Sequence, residues 1–532
     1  MRRAVRLARA YDWLTNRSQN PYLPYANFNA AIESPMSFSK TSLGWLIPPG
    51  LEDDAEKFAT QTLVSLTRIR TLQNLIVAAH NPGESQTYAL PPTWREALAD
   101  KGIPINQASS RLAWLKLQFS ALRGAFSARR KLLGHAGTGW MPPELPFSVL
   151  IGTPYQVAKF GAQPEGFSFF DWLSRDPDIV SPDDLMLVVA ANGADSEPRD
   201  GRLRIVDHPF PRLSSSEISA FRRESASLLL KACFLVIAGN WWSAFLVQGA
   251  LETAYFNRVT RPANRYVFTN AVGMYLRPLW TYEAERRGSP CSLIYYSAHI
   301  KPISGNFPNA HVPGIQLQYW GKYLVFNELQ KQWLENITPH APLIRVAGPI
   351  DYADDPSVEI ELPPRSILAL DVPVRQLLWW PANGFIDHFS TGEFSEAFFS
   401  GLAEVADQLG AVVIWKGKRQ GSGPPALAYK RAHKAAADKA PFVSLESSLS
   451  PRRLAHYADA CIAAPFTSAA LLFRAGGGAA AYFDPLAKLP KNAPQTDGLP
   501  LLQNRRQLVE WLEPILDAKS PIDARKIRSA TV

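Results

Sequence analysis

SPRRLAHYADACIAAPFTSAALLFRAGGGAAAYFDP, residues 450–485, carries the rhythm from which the rest of the chain is read. Ser450-Pro451 supplies a capping hydroxyl and a first-turn proline, so a helix opens there. CIAAPFTS is a short apolar run ending in a turn, SAALLFRAG has helical spacing and is closed by Gly476–Gly478, and AAAYFDP is apolar again. Strand, helix, strand at this spacing predicts parallel strands joined by a crossover helix.

The same alternation extends upstream through SILALDVP (366–373), GEFSEAFFSGLAEVADQLG (392–410, closed by Gly410), AVVIWKGKR (411–419), ALAYKRAHKAAADK (426–439) and FVSLE (442–446). Downstream, LQNRRQLVEWLEPILDA (502–518) reads as a last helix. Five strands alternating with helices predict a doubly wound parallel sheet over 365–518, with 519–532 a tail.

A second such unit is expected at 141–350. Its strands begin with FSVLI (147–151) and LMLVVA (185–190), and its regular part runs RYVFTN (265–270), helical RPLWTYEAERRG (277–288), CSLIYYSA (291–298), helical YLVFNELQKQWLEN (323–336) and PLIRVAGPI (342–350). The acidic, proline-bearing DYADDPSVEIELPP (351–364) fits a linker between the units. Residues 1–140 are expected to be mainly helical, with long helices at 53–79 and 111–133.

The chain has 532 residues, with 56 Lys+Arg against 47 Asp+Glu, a net charge of +9. Charged residues are 19% and hydrophobic residues 46%, a balance that excludes disorder for most of the chain. Cys233, Cys291 and Cys461 are far apart inside apolar runs, which argues against disulfides and redox pairs, and no His/Cys cluster has ligand spacing, so no metal is expected. The start, MRRAVRLARAYDWL, does not read as a secretory signal, so a cytoplasmic location is expected. ACFLVIAGNWWSAFLVQGAL (232–251) is uncharged and nearly long enough to span a bilayer, but Asn240, Ser243 and Gln248 favour a buried helix.

Along 111–133, Leu112, Leu115, Phe119, Leu122 and Phe126 form one apolar stripe, accompanied by Arg111, Lys116, Arg123, Arg129, Arg130 and Lys131. The stripe either packs on the core with a solvated basic side, or meets an anionic membrane surface, which would make the protein peripheral at the inner membrane. Aromatics are not interleaved with the basic residues in a nucleic-acid-binding pattern, and no nucleic-acid partner is expected.

Ligands of open parallel sheets bind beyond the carboxyl ends of the strands. Lys416, Lys418 and Arg419 emerge there around Gly417, suited to a phosphate or equally to a solvated turn. Pro465, Phe466, Thr467 and Ser468 follow the next strand, where hydroxyls at a helix start either bind an anion or simply cap the helix. Asp371 ends the first strand of the unit and is a candidate base, nucleophile or hydrogen-bonding partner; Asp484 would touch a ribose or cap a turn. In the first unit His299 is a candidate general base with Lys301 beside it on the acceptor side, and Asp387-His388 lies in a loop able to close over a donor.

VVIWKGKR and the 450–485 stretch resemble the surface-polysaccharide biosynthesis proteins defined by a Pro-Phe-Thr-Ser motif, and the likeness extends to RPLWTYEAERRGSPCSLIYYSAHIKP, YLVFNELQKQWLE and VAGPIDY. It covers about residues 265–490. The resemblance implies a GT-B-like α/β fold: two facing Rossmann-like domains, the donor nucleotide in the C-terminal one, here preceded by a mainly helical region. It implies transfer of a sugar from a nucleotide-activated donor to a growing bacterial surface polysaccharide such as capsule or O-antigen. The order of aspartate, short strand, hydroxyl pair, helix and Tyr-Phe-Asp-Pro is also similar to enzymes using cytidine-linked donors, favouring a CMP-linked acidic sugar such as Kdo or a nonulosonate over a UDP-sugar.

The expectation is therefore a metal-independent glycosyltransferase without a cofactor, the nucleotide-sugar being a substrate. Lys416, Lys418, Arg419, Pro465, Thr467, Ser468 and Asp484 would hold the donor. Asp371 and His299 would serve the chemistry, and Lys301 the glycan or lipid-linked glycan acceptor. A polyol-phosphate transferase or nucleotide-sugar epimerase on the same fold, and a non-catalytic scaffold of a polysaccharide assembly complex, are the alternatives.

Overall fold

The structure is a computed structural model that describes residues 2–16, 22–34, 38–152, 179–189, 203–269, 276–295, 314–338, 342–349, 359–374, 391–417, 427–445, 449–493 and 496–518, with single positions 18, 20, 36, 173, 297, 340 and 389. The expected tail at 519–532 lies outside them.

Short apolar runs form two parallel sheets, buried on both faces except at the edge strands Leu343–Val346 and Phe442–Leu445. The first contains β1 (Phe147–Ile151), β2 (Leu185–Val189), β3 (Leu203–Val206), β4 (Arg265–Thr269), β5 (Cys291–Ile294), β6 (Lys322–Val325) and β7 (Leu343–Val346), in the order β3-β2-β1-β4-β5-β6-β7. The second contains β8 (Ser366–Leu370), β9 (Val412–Lys416), β10 (Phe442–Leu445), β11 (Ala460–Ala463), β12 (Ala479–Phe483) and β13 (Leu501–Leu502), in the order β10-β9-β8-β11-β12-β13. In each, the chain winds outward from the first strand and then returns to that strand's other side. Each is thus a Rossmann-like sheet with a switch point beside its first strand. Together with the helical N-terminal region they make the GT-B-like α/β fold.

Three strands differ from expectation: β3 forms at LRIV (203–206), where no strand is expected. YLVFNELQKQWLEN is not one helix, because β6 occupies its start and only Phe326 and Asn327 separate it from helix α10 (Glu328–Ile337), which follows α9 (Trp280–Arg286) in the chain. β13 is a two-residue strand paired to β12 at Tyr482–Leu501 and Phe483–Leu502.

The N-terminal helices are α1 (Arg2–Asn16), α2 (Leu23–Ile32), α3 (Lys40–Leu43), α4 (Glu52–His80), α5 (Pro92–Ala99) and α6 (Gln107–Thr138). They share one hydrophobic core with a face of the first sheet: Phe28, Leu63, Trp94 and Trp114 bury in the same cluster as Val149, Leu187 and Tyr266. Buried Arg277 ties α4 to that sheet, its backbone N–H donating to the Gln61 side chain (3.2 Å) and Nη1 to the Tyr319 carbonyl (2.8 Å).

The apolar 232–251 segment is not one buried helix. It is broken between α7 (Ser215–Ile237) and α8 (Ser243–Phe256) by a turn in which Gly239 takes a φ of +89°, a conformation open to glycine without steric cost. α8 is almost wholly buried, whereas the end of α7 is exposed. Among the described residues, no helix is long and apolar enough to cross a membrane.

The outcome for α6 divides its stripe. Leu122 is buried, but Leu112, Leu115, Phe119 and Phe126 point outward, Phe119 with 65% exposure; the core face is Trp114, Gln118, Leu122, Ala125 and Leu132. Trp114 decides the choice by packing its ring 5.1 Å from Trp241 and 5.4 Å from Phe245.

In the second unit, alternate residues along the inner strands β8, β9, β11 and β12 bury on opposite faces. Ile367, Val413, Ile462 and Phe483 face α11 (Gly392–Leu409), α12 (Leu427–Ala437) and a C-terminal helix, Arg505–Ala518. Leu368, Ile414, Ala463 and Tyr482 face α13 (Pro451–Leu454) and α14 (Ser468–Ala475). The caps read from the sequence form: Ser450 Oγ accepts from the Arg452 N–H (3.1 Å), and Gly410 closes α11 at φ +60°. The expected linker is outside the described residues at 351–358, and its end is packed, Ile360 and Leu362 being buried on the α13–α14 face. Phe326, directly after β6, is buried there too and joins the first unit to the second.

Candidate functional site

Leu370 of β8 is in register with Lys416 of β9 and with Ala463 of β11, and Ala463 with Tyr482 of β12. The strands therefore end level, and Asp371, Lys416, Pro465–Ser468 and Asp484 gather at one carboxyl edge. β8 and β11 flank the switch point, so Asp371 leaves on one side of the crevice and the Pro-Phe-Thr-Ser turn on the other.

The turn is held in an unusual conformation. Phe466 has φ +62°, left-handed, which costs a non-glycine residue roughly 1–2 kcal/mol. Its ring packs on Phe389 and Tyr482, with centroids 5.6 and 5.9 Å away. The Thr467 N–H donates to the Ala464 carbonyl (3.2 Å), and the Thr467 carbonyl accepts from the Ala470 N–H (3.0 Å). The Thr467 hydroxyl does not cap α14; it is buried and has no hydrogen-bond partner among the described residues. Leaving such a group unpaired costs about 1–3 kcal/mol. Ser468 opens α14, and the positive end of the helix dipole there favours an anion.

Across the switch point the Asp371 carboxyl group is held by two donors that the sequence reading overlooked. Trp415 Nε1 donates to Oδ1 (3.3 Å) and the Tyr429 hydroxyl donates to Oδ2. Burial first, then Asp371 itself, pushes the Tyr429 phenol well above its ordinary range, so it keeps this proton. His433, one turn along α12, lies 4.2 Å from the Trp415 ring, and burial lowers its pKa. Tyr429 and His433 at i and i+4 on the helix after β9 were the available signal.

Lys416 ends β9 on the face opposite Trp415 and is buried, 8% exposed. Its neighbours Lys418 and Arg419 lie outside the described residues, as do His299, Lys301, Asp387 and His388. Asp484 does cap a turn, Oδ2 accepting from the Leu489 N–H (2.9 Å), but Oδ1 is buried and has no partner among the described residues. Beside it, a cavity of about 360 Å³ is lined by Phe483, Pro485, Glu393, Glu396 and Arg505.

At the carboxyl edge of the first sheet a buried polar network was also unforeseen. The Tyr295 hydroxyl donates to Gln318 Oε1 (2.6 Å), and Gln330 Nε2 donates to the Ser297 carbonyl (3.0 Å), while Gln318 Nε2 is buried with no partner among the described residues. Among the described residues, no group of three or more His, Cys, Asp or Glu side chains is placed to hold a metal ion. Cys291 and Cys461 are buried in strands, and burial raises their pKa values well above the ordinary thiol range.

Fold and motif together define a two-sheet α/β protein with an anion-suited turn at the second switch point. The model of the family described as polysaccharide biosynthesis PFTS motif protein matches residues 228–512, and the chain belongs to that family. No curated protein matches it by sequence.

Among solved structures, the S. aureus MnaA-UDP co-structure is similar at 7% identity and TM-score 0.38, covering 70% of this chain and 88% of that one. A UDP-GlcNAc 2-epimerase of Methanocaldococcus jannaschii in complex with UDP-GlcNAc and UDP is similar at 11% identity and TM-score 0.33, covering 72% and 94%. UGT2 of Phytolacca americana, complexed with UDP-2fluoro-glucose and pterostilbene, is similar at 10% identity and TM-score 0.33, covering 70% and 91%.

Proposed function

We propose that the chain is a glycosyltransferase that moves a sugar from a nucleotide-activated donor to a growing bacterial surface polysaccharide, with a glycan or lipid-linked glycan as acceptor. The observation that carries this reading is the turn at the second switch point. Phe466 is fixed left-handed, the buried Thr467 hydroxyl has no partner among the described residues, and the start of α14 lies beside it. Such a preformed site suits the phosphate of a nucleotide at the place where open parallel sheets bind their ligands.

As the bond from the anomeric carbon to the donor phosphate breaks, negative charge collects on the departing nucleotide. Lys416, Lys418 and Arg419, the Thr467 and Ser468 hydroxyls and the helix amides would stabilise it without a metal ion or cofactor. Pro465 shapes the turn, and Asp484 would meet the ribose through its unpaired Oδ1. Asp371, oriented by Trp415 and Tyr429, is assigned to the anomeric side. His299 would take the acceptor proton as general base, with Lys301 beside it.

The donor we assign is a CMP-linked acidic sugar, the aspartate–strand–hydroxyl pair–helix order being its support, with a UDP-sugar next. The test is titration with CMP and UDP, then incubation with CMP-, UDP- and CDP-linked donors in the presence of chelator and analysis of products. Sugar transferred to glycan from the CMP donor is the expected result. A UDP-only reaction would correct the donor, whereas epimerised sugar, transferred polyol phosphate or absence of nucleotide binding would overturn the reading.

A further inference from the structure

We infer that α6 and the exposed end of α7 together form a face that docks the protein on an anionic lipid surface. Arg129 on α6 donates through Nε to Ser225 Oγ (2.9 Å) and through Nη2 to the Arg222 carbonyl (3.1 Å), while Trp114 near the other end of α6 meets Trp241 just beyond α7. The two helices therefore run antiparallel side by side, which brings Leu115 and Phe119 of α6 level with Phe234 and Ile237 of α7.

These side chains have no core to enter. Leu115, Phe119 and Phe126 are at least half exposed, and Leu230, Phe234 and Ile237 are 72%, 58% and 85% exposed. Trp45, also exposed, stacks on Phe234 at 6.3 Å and widens the patch. A contiguous apolar patch of this kind marks an interaction site.

The charge around it selects the partner. α6 has no Asp or Glu in 32 residues, and its exposed Lys116, Arg123, Arg130 and Lys131, joined by Lys231 on α7, flank the apolar rows. Apolar side chains bordered by cations match a bilayer surface, where rings and aliphatic chains enter the headgroup boundary and the cations meet lipid phosphates. The face lies on the helices that cover the first sheet, away from the second switch point, and does not depend on the nucleotide reading.

The test is flotation of the full chain with phosphatidylcholine vesicles, with or without phosphatidylglycerol. Two variants accompany it: Phe119→Ser/Phe234→Ser/Ile237→Ser and Lys116→Glu/Arg123→Glu/Lys231→Glu. The parent should float with the anionic vesicles, less so as salt rises, and each variant should lose about tenfold or more in partitioning. The apolar variant should stay folded with a thermal midpoint within a few degrees of the parent's, because the replaced side chains are more than half exposed and outside the core. Parent protein that stays unbound, or variants that bind as it does, would overturn the inference. So would a dimer, dissociated by the same substitutions, that ignores vesicles, since the face would then be a contact between two copies.

Discussion

The phenol of Tyr482, on β12, donates a hydrogen bond of 3.3 Å to the carbonyl of Thr467, on the turn that follows β11. The motif turn is thereby held from the neighbouring strand, and the left-handed Phe466 just before it is pinned by ring packing on the same tyrosine. A strained residue persists only where its surroundings over-determine it, and such residues cluster at functional sites.

Phe466 gives the first expectation. Removing this half-buried ring should cost up to about 3 kcal/mol in Phe466→Ala. Phe466→Gly loses the same ring but relieves the left-handed strain, so it should be more stable than the alanine variant by about 1 kcal/mol, the reverse of the usual order. Denaturant midpoints decide; alanine equal to or above glycine would refute the strained turn.

Thr467→Val keeps the shape and deletes the unpaired hydroxyl. The variant should be as stable as the parent or more so, by up to about 2 kcal/mol, yet bind nucleotide about tenfold more weakly. Calorimetric titration beside thermal unfolding reads both, and unchanged affinity would remove Thr467 from the site.

Tyr429→Phe withdraws a donor from the buried Asp371 carboxyl group without changing the fit of the ring. A loss of about 1–3 kcal/mol is expected. Rescue of that loss in the double variant Tyr429→Phe/Asp371→Leu, by a double-mutant cycle, would show that the two act as a pair; additive losses would show that they do not.

The fourth expectation concerns pH. Burial, then the neighbouring His135, pushes the His208 imidazole down to about 3, whereas an unfolded histidine titrates near about 6.5. Between these values the unfolded chain holds a proton that the folded chain does not. The contribution is therefore fully present above about pH 6.5 and falls as pH drops toward 3, by at most about 1.4 kcal/mol per pH unit. His208 Nδ1 accepts from the Phe210 N–H (3.2 Å), a bond that His208→Asn can retain without titrating. Thermal midpoints between about pH 7 and 5 should fall less steeply in the variant; parallel curves would contradict the assignment.

Much of the second unit was legible because each buried strand is a short apolar run between segments of helical period, and because Ser450-Pro451 and Gly410 mark helix ends chemically. In the first unit β3 and β6 were not, one being four residues interrupted by Arg204 and the other fused to its helix across two residues; in the second β13, only two residues long, was not. At the candidate site, Asp371, Lys416, Thr467, Ser468 and Asp484 were readable as polar residues following strands. Trp415 and Tyr429 were not, since one lies inside an apolar strand and the other on a helix remote in sequence.

The order of residues alone therefore settled what depends on local spacing: the two parallel units, the helix caps and the Pro-Phe-Thr-Ser motif that marks the family. Periodicity could not choose which apolar face of α6 turns inward, because it reports a stripe and not what the stripe meets; Trp114 on Trp241 and Phe245 made that choice. Nor could local preference set Phe466 left-handed or leave Thr467 without a partner. Those states exist because β12 and the aromatic cluster hold the turn, and only contacts between residues distant in the chain can sustain a conformation that local energetics oppose.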